Sequence, residues 1–446
     1  MRLPRTLMLL GLVSLAAPSA GYNAAEDAVQ DFSGMGVVRN TVDAERPIYP
    51  LYMRDKRIHG LKPFQELVDA APAGSTLRPP PGHYAGPVLL TKPLIIEGDG
   101  KVTIDAGDKG TVFRIETENA VLRGLRLTGS GESHDMEDAA LEIRGHHNRA
   151  ENLVIDNSLF GIDLRQANDN VVRNNRITSK PVALGIRGDA IRLWYSLRNL
   201  IEGNAIANAR DVVIWYSNHN VLRGNVSRDS RYSVHFMFSQ QNTVEQNRFY
   251  NNAVGIYVMY TDGVVIRNNL ISHATGATGM GIGFKEASDA LVEGNQLLYC
   301  ATGITSDLSP FQPDSKVWMR NNKLSYNGIA LLFNSERDGN EVEGNHFVGN
   351  ITDVAVNGGG TASHNHWQGN QWDTYLGFDR DRDGHGDAPH EQYAYADRIW
   401  MDTPSAQFFR ATPMLELLDF LERLAPFSTP DLILRDNKPR MNPRHG

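Results

Sequence analysis

The chain has 446 residues, of which 41% are hydrophobic and 22% are charged, and its formal net charge is −8 at pH 7. This length and apolar content suffice for a large buried core, while the acidic balance argues against a nucleic-acid-binding protein. The single cysteine, Cys300, excludes an intramolecular disulfide, and we interpret it as a small buried apolar residue.

The first twenty residues, MRLPRTLMLLGLVSLAAPSA, have the pattern of a Sec-type signal peptide. Two arginines precede an apolar run from Leu7 to Ala17, and small residues follow it. The run is too short to span a bilayer, so an N-terminal membrane anchor is the less favoured alternative. We therefore predict an exported protein, periplasmic in a bacterium, with a signal peptide over residues 1–20 and an N-terminal extension over residues 21–60.

The next segment is predicted to begin the folded domain. The sequence from Phe64 to Gly100, FQELVDAAPAGSTLRPPPGHYAGPVLLTKPLIIEGDG, resembles the opening of pectin-lyase-like β-helices. In those proteins a short amphipathic helix caps the open end of the stack, which a solenoid requires. We predict such a cap here.

Short β-branched segments that end in asparagine recur through the middle of the chain. They are NLVIDN, NVVRNN, NLIEGN, NVLRGN, NTVEQN, GVVIRN, ALVEGN, KVWMRNN and NEVEGN. A period of 21 to 27 residues with Asn and Gly turns indicates a solenoid. Each copy suits one coil of a parallel β-helix, in which the turn asparagines stack into a hydrogen-bonded ladder and tolerate left-handed backbone. We predict an all-β, right-handed parallel β-helix with its cap over residues 61–370; a leucine-rich horseshoe is disfavoured because LxxLxL spacing is absent.

Four strands align when residues are counted back from the turn asparagines: AIRLWYS, DVVIWYS, SVHFMFS and GIYVMYT. Side chains alternate between the two faces of a strand, so two columns point into the solenoid and two point out. The inner columns are Ile191, Val212, Val234, Ile256 and Leu193, Ile214, Phe236, Val258, and the outer columns are Arg192, Val213, His235, Tyr257 and Trp194, Trp215, Met237, Met259.

Outward sulfur and imidazole groups in these columns form a candidate metal site. Strands stack about 4.8 Å apart, so Met237 is expected beside Met259, with His235 close to Met237. Thioether and imidazole ligands favour Cu(I) over zinc, magnesium or calcium, and thioethers hold it less tenaciously than thiolates, which suits a carrier. Met280, in GMGIGF, is a candidate third sulfur from the next coil. The alternative is a Trp and Met surface that packs beneath loops or against a partner.

A polysaccharide lyase or epimerase acting on acidic sugars is the alternative class of function. Such enzymes need acidic residues and a basic partner on a groove. The candidates are Asp163, Arg165, Asp189 and Arg192, and the alternative interpretation of these four is a ladder of surface ion pairs. The column of Arg192 continues as Val, His and Tyr, which is not the basic groove expected of an acidic-sugar binder.

The C-terminal extension, residues 371–446, begins with the acidic segment FDRDRDGHGD. Its carboxylates are Asp379, Asp381, Asp383 and Asp387, a pattern that resembles the D-x-D-x-D-G opening of a calcium loop. His390 stands where an EF-hand has its final Glu, so an EF-hand is disfavoured. We predict a structural Ca²⁺ site, with a solvated acidic turn as the alternative.

An amphipathic helix is predicted further along this extension. Thr412 and Pro413 have the pattern of an N-cap and the first helical residue. The following segment, MLELLDFLERLAPF, carries an apolar stripe at helical spacing. The stripe consists of Met414, Leu417, Leu418 and Leu421.

Several segments resemble the NosD family of nitrous oxide reductase maturation proteins. They are DAIRLWYS, DVVIWYS, RYSVHFMFS, VGIYVMY, MGIGFKEAS, GNQWDTYLGFDRDRDGHGD, YADRIWMDTPSAQFF and LDFLERLAPFS. The resemblance extends from about Ala70 to Pro430, and the C-terminal segments are more specific than the repeat.

The resemblance implies a role and a set of partners. Members of that family are periplasmic β-helix proteins that work with an ABC transporter, formed by the membrane subunit NosY and the ATPase NosF, and with the copper lipoprotein NosL. Together they assist assembly of the copper–sulfide cluster of nitrous oxide reductase. The resemblance therefore implies a non-enzymatic factor that transiently accepts Cu(I) and is associated with the inner membrane through the transporter. It also implies that the C-terminal helix docks on the transporter, the alternative being that it caps the last coil.

Overall fold

The computed structural model describes residues 58–441, except 277, 336, 411 and 426–428. Within this part of the chain the fold is a parallel β-helix, which confirms the predicted fold class. The predicted signal peptide and nearly all of the predicted extension over residues 21–60 lie outside the described residues. None of the described helices is long and apolar enough to cross a membrane.

One side of the solenoid is a twelve-stranded parallel sheet, called here the long-strand sheet, to which successive coils contribute one strand each. Its strands are β1 (Val88–Leu90), β2 (Phe113–Ile115), β3 (Ala139–Ile143), β4 (Phe160–Arg165), β5 (Ile191–Trp194), β6 (Asp211–Trp215), β7 (Tyr232–Met237), β8 (Val254–Met259), β9 (Met280–Lys285), β10 (Thr302–Asp307), β11 (Ile329–Phe333) and β12 (Thr352–Val356). Each strand pairs with the strands of the preceding and following coils, so one side chain per rung enters each column.

The remaining solenoid strands form a 25-stranded assembly that closes the other sides. They are Lys62–Pro63, Thr76–Leu77, Gly82–Ala85, Ile95–Asp105, Val121–Thr128, Arg149–Glu151, Val154–Ser158, Val171–Arg173, Arg176–Ser179, Leu200–Glu202, Ala205–Ala207, Val221–Arg223, Val226–Arg228, Thr243–Glu245, Arg248–Tyr250, Val265–Arg267, Leu270–Ser272, Ala290–Glu293, Gln296–Leu298, Val317–Arg320, Lys323–Ser325, Asn340–Glu343, His346–Val348, His366–Gln368 and Gln371–Trp372. A 3₁₀ turn, Leu184–Ile186, interrupts one connecting loop.

The N-terminal end is covered by helix α1 (Phe64–Ala70), as predicted. Its apolar residues Phe64 and Val68 are fully buried. The ring of Phe64 packs edge-on against Tyr84, with centroids 5.3 Å apart, and against Phe113. The helix therefore shields the first coil from water, where an unpaired apolar end would otherwise be exposed.

The predicted asparagine ladder is present, with one correction to its backbone geometry. Side-chain amides donate from one coil to the next at 2.9–3.1 Å along Asn175, Asn204, Asn225, Asn247, Asn269, Asn295, Asn322, Asn345 and Asn370. The left-handed backbone lies on the residue before each rung, such as Asn174 (φ 56°) or Gly203 (φ 65°), and not on the ladder asparagines themselves. The ladder asparagines instead point inward and satisfy buried backbone groups of neighbouring coils.

The C-terminal segment covers the other end of the solenoid. Strands β13 (His390–Ala394) and β14 (Asp431–Asp436) form an antiparallel pair, and helix α2 (Arg398–Asp402) buries Trp400 and Met401 in the core. The last ladder amide, that of Asn370, donates to Asp436 at 3.0 Å. The carboxylate of Asp436 thus ends the ladder with a charged acceptor.

The predicted C-terminal helix is present as α3 (Pro413–Leu424), preceded by a 3₁₀ segment, Pro404–Phe409. The hydroxyl of Thr412 accepts a hydrogen bond from the amide of Leu415 and caps the helix as predicted. Leu415 is the buried apolar residue of α3. The predicted stripe is exposed at 43–68% and does not pack on the solenoid; it consists of Met414, Leu417, Leu418 and Leu421.

Candidate metal site on the long-strand sheet

The register of β7 and β8 brings the outward columns together as expected. His235 pairs with Tyr257, and Met237 pairs with Met259. Between β6 and β7 the register shifts by one residue, a β-bulge. Because of this extra residue, Tyr232 lies on the same face as His235 although the two are three positions apart, and their rings are 5.0 Å apart.

The imidazole of His235 lies directly against a thioether. Its Nε2 atom is 3.3 Å from Sδ of Met259, and the two side chains are 7% and 4% exposed. Both belong to the outer face, separate from the solenoid core. Met259 lies in an apolar cluster with Tyr232, Val254 and Tyr257, against which Met237, Tyr260 and Met280 pack partly exposed; we call this set and His235 the thioether cluster.

Met280 joins the thioether cluster by a route that the strand register does not predict. In β9 it pairs with Val254, so it is not in the column of Met259. A Cβ atom on Gly283 would lie 2.5 Å from Sδ of Met280 and 2.6 Å from Cδ2 of Tyr257. Gly283 therefore leaves the space in which the third sulfur rests on the Tyr257 ring. The glycine at this position of GMGIGF is the signal that sequence reasoning overlooked.

The thioether cluster is electrically neutral near pH 7. Burial lowers the pKa of His235 to about 4, with Asp211 opposing the shift and Arg231 adding to it. Burial also raises the pKa of Tyr232 to about 12 and raises that of Tyr257 further. A neutral imidazole and thioethers are soft, uncharged ligands, the set that Cu(I) prefers.

Aromatic rings border the thioether cluster on the preceding coils. The Trp194 and Trp215 rings meet edge to face at 4.8 Å, and Trp215 is the register partner of Met237. Beyond them, stacked rings 4.9–5.2 Å apart follow the edge of the sheet; they are Tyr195, Tyr216, Phe238 and Tyr260. The outward Trp and Met surface thus packs largely against itself.

The four residues considered for carbohydrate chemistry lie together on β4, β5 and the loop before β5. Asp163 pairs in register with Arg192, and Nε of Arg165 donates to Asp163 at 2.6 Å. Glu137, from the loop over residues 131–138, forms ion pairs with both arginines. Asp189 accepts from Arg210 at 3.2 Å.

Burial dominates the electrostatics of this ionic group. Asp163 and Asp189 are nearly inaccessible, and burial raises the pKa of Asp163 to about 7 although Arg192 opposes the shift. Both buried carboxylates already have guanidinium partners, Arg165 at Asp163 and Arg210 at Asp189. The arrangement therefore favours an ion-pair ladder over a catalytic group.

The acidic loop brings three of its four predicted carboxylates together. Ligand oxygens of Asp379, Asp381 and Asp383 lie within 4.8 Å of one another. Desolvation opposes the shift, but several hydrogen bonds, among them those from the amides of Gly384 and Arg382, together lower the pKa of Asp379. The carboxylate of Asp387 instead accepts from the amide of Arg380 at 2.9 Å and does not belong to this group.

Comparison with known proteins finds sequences that are similar to this chain. The family model described as periplasmic copper-binding protein (NosD) matches residues 174–377, which include β5 to β12. A probable ABC transporter binding protein NosD of Pseudomonas aeruginosa is 27% identical over 77% of this chain and 83% of its own length. Its namesake from Stutzerimonas stutzeri is 25% identical over 81% of this chain and 88% of its own length.

Solved structures share the architecture only. An alginate lyase in complex with a trisaccharide is 16% identical, covers 69% of this chain and 85% of its own, and has a TM-score of 0.44. At this identity and TM-score the likeness carries no information about activity. The family model over residues 174–377 and the two relatives, which extend over most of the sequence, agree in name, so this chain is similar to NosD proteins.

Proposed function

We propose that this protein is a periplasmic maturation factor that accepts Cu(I) at the thioether cluster and passes it on for assembly of the copper–sulfide cluster of nitrous oxide reductase. The contact between His235 Nε2 and Met259 Sδ, with Met237 on the adjoining rung, carries the proposal. The description of the matching family as copper-binding and periplasmic supports it. Met280 is the fourth ligand in this proposal.

The chemistry of these side chains suits a cargo that must leave again. Neither thioethers nor a neutral imidazole must lose a proton to bind Cu(I), so loading and release need no proton transfer to the ligands. Met237 and Met280 are partly exposed at the edge of the thioether cluster, whereas His235 and Met259 are buried. We infer that copper enters and leaves past the two exposed sulfurs.

We further propose the partners from the names of the relatives and from the C-terminal helix. The relatives are called ABC transporter binding proteins, so we propose association with the membrane subunit NosY and its ATPase NosF, with NosL as copper donor and nitrous oxide reductase as acceptor. The exposed stripe of α3 supplies the docking surface, which an apolar groove on the transporter would cover. A Leu417→Glu, Leu421→Glu variant that still co-purifies with the transporter would refute this surface.

Titration with Cu(I) tests the proposed site. We expect the Met237→Ala, Met259→Ala variant to bind Cu(I) about 100-fold or more weakly than the unaltered protein, because two of the soft ligands are lost. Met136→Ala is the matched control, since this methionine is 73% exposed on the loop over residues 131–138 and outside the thioether cluster. Competition with a chromogenic Cu(I) chelator measures all three affinities.

The control also defines failure. Equal affinity of the double variant and the unaltered protein would remove the thioether cluster as the copper site. Equal weakening by Met136→Ala would show that the loss is not specific to that cluster.

We also propose a structural Ca²⁺ at Asp379, Asp381 and Asp383, whose close carboxylates supply the hard oxygen ligands that this ion prefers. A ligand that binds the native state stabilises it, so millimolar Ca²⁺ is expected to raise the melting temperature. The Asp381→Ala, Asp383→Ala variant is expected to lose that response. A melting temperature that neither Ca²⁺ nor a chelator moves would leave a solvated acidic turn.

A further inference from the structure

A buried lysine occupies the rung next to the thioether cluster. Lys285, the last residue of β9, is the register partner of Met259 on one side and of Asp307 on the other. Its side chain is 1% exposed, and Nζ lies 5.8 Å from the ring centre of Tyr260. Lys285 therefore lies one strand spacing from the methionine that contacts His235, and its ammonium group lies against a ring of the thioether cluster.

The lysine ends an otherwise uncharged run within its column. From β5 to β8 the same outward position holds Trp194, Trp215, Met237 and Met259. Its charge and that of Asp307 attract each other across one rung, and the lysine opposes the rise in the pKa of Asp307 that burial causes. Burying a charged side chain carries a large desolvation cost, and an apolar residue of similar volume is often at least as stable, so the fold alone does not explain the lysine.

We propose that Lys285 is a charge filter for the copper site: its ammonium weakens binding of every cation at the thioether cluster and discriminates against divalent ions. The inference rests on the proposed function and deepens it. In this proposal Lys285 sets the affinity and selects against ions of higher charge. The sulfur and imidazole ligands select for soft ions.

Coulomb's law gives the filter its selectivity. The repulsion between the ammonium and a bound ion is proportional to the charge of the ion, so a divalent ion is penalised twice as strongly in free energy as Cu(I). At separations of roughly one to two strand spacings the penalty for a monovalent ion corresponds to about a tenfold loss of affinity, after partial compensation by Asp307. The corresponding loss for a divalent ion is then about 100-fold. Because the lysine weakens the binding of Cu(I), the bound copper can be passed on to an acceptor.

Replacing the lysine by an uncharged residue of similar length tests the filter. We expect Lys285→Gln, which adds no soft ligand, to bind Cu(I) about tenfold more tightly than the unaltered protein and Zn²⁺ about 100-fold more tightly. Lys285→Arg keeps the charge and is expected to retain both affinities. Asp307→Asn removes the compensating carboxylate. This variant is expected to weaken Cu(I) binding, which is opposite to the effect expected from removing the lysine charge. Cu(I) is measured by chelator competition and Zn²⁺ by calorimetry on the full-length protein.

A distant lysine and the arginine variant separate charge from shape. Lys323→Gln, at an exposed position of the 25-stranded assembly, is expected to change neither affinity. Unchanged affinities in Lys285→Gln, equal gains for Cu(I) and Zn²⁺, or equal gains in Lys285→Arg would overturn the filter while leaving the copper site standing. Failure of the unaltered protein to bind Cu(I) would overturn both proposals.

Discussion

The outer face of the long-strand sheet changes its chemistry where β6 gives way to β7. On β3 to β6 the outer face carries buried carboxylates that pair with arginines, as in Glu142 with Arg114 and Asp211 with Arg231, beside apolar residues such as Val213. On β7 and β8 the same positions hold a neutral imidazole, phenols and thioethers. The same parallel sheet continues through both halves, and the bulge between β6 and β7 is the one register shift at their boundary. A solenoid therefore determines where side chains meet, while the residue in each column determines what they can bind.

The two halves also differ in what a lost side chain leaves behind. In the ionic half, removal of a cationic side chain leaves buried carboxylates without their partner. In the thioether cluster, removal of a sulfur leaves neutral groups whose burial costs little. The stability of the fold should therefore depend mainly on the ionic half. The affinity for metal should depend mainly on the thioether cluster.

The largest expected effect is on stability. Arg165→Ala removes the partner of the buried Asp163 and is expected to lower the free energy of unfolding by about 3 to 5 kcal/mol, seen as a lower urea midpoint, with Cu(I) affinity unchanged. Met237→Leu with Met259→Leu keeps the volume and is expected to show the reverse pattern. Loss of Cu(I) binding in Arg165→Ala at temperatures where it is folded would break the distinction.

The pH dependence of stability should have opposite signs in the two halves. His235 has a folded pKa of about 4, below its unfolded value near 6.5, so the unfolded state takes up a proton first and stability is lost as the pH falls from about 6.5 to 4. Asp163 has a folded pKa of about 7, above its unfolded value near 3.8, so its contribution is lost as the pH rises from about 4 to 7.

The contribution of each side chain to the pH dependence of stability can be removed separately by mutation. Relative to the unaltered protein, Asp163→Asn should gain stability as the pH rises through that window, by about 4 kcal/mol at most, and His235→Gln should gain it as the pH falls, by about 3 kcal/mol at most. Urea unfolding of metal-free protein at pH 4.5, 5.5 and 7 measures both. Parallel profiles of the two variants would contradict the assignment.

A smaller effect is expected from the glycine that admits Met280. Gly283→Ala places a methyl group in the space of the Met280 sulfur, so we expect about 2 kcal/mol of destabilisation and about tenfold weaker Cu(I) binding. Met280→Leu removes the sulfur without overfilling the space, and is expected to weaken Cu(I) binding equally with a smaller loss of stability. Unchanged affinity in both variants would remove Met280 from the proposed ligand set.

Much of the fold was predictable because its determinants are local and repeated. The spacing of the turn asparagines indicated the coil, and alternation within four strands placed Met237 beside Met259. The helix α3 was also predictable, since Thr412 and Pro413 mark its start within a few residues. These features depend on neighbours in the chain or on one repeat of a fixed period.

Other features depend on where non-repeating segments come to rest. Glu137 reaches Arg192 across 55 positions because its loop folds over the long-strand sheet, and no period predicts that contact. The exposure of the α3 stripe and the separation of Asp387 from the other acidic carboxylates are decided in the same way.

The sequence by itself determined the parallel β-helix, the direction in which each column faces and the pairing of the two central methionines, because a fixed period turns chain position into spatial position. Only the tertiary structure decided that Met280 enters over Gly283, that the bulge brings Tyr232 to His235, and that Lys285 lies buried next to Met259. These depend on close packing between side chains of different coils, and the space available there is set by neighbours that the sequence spacing does not identify.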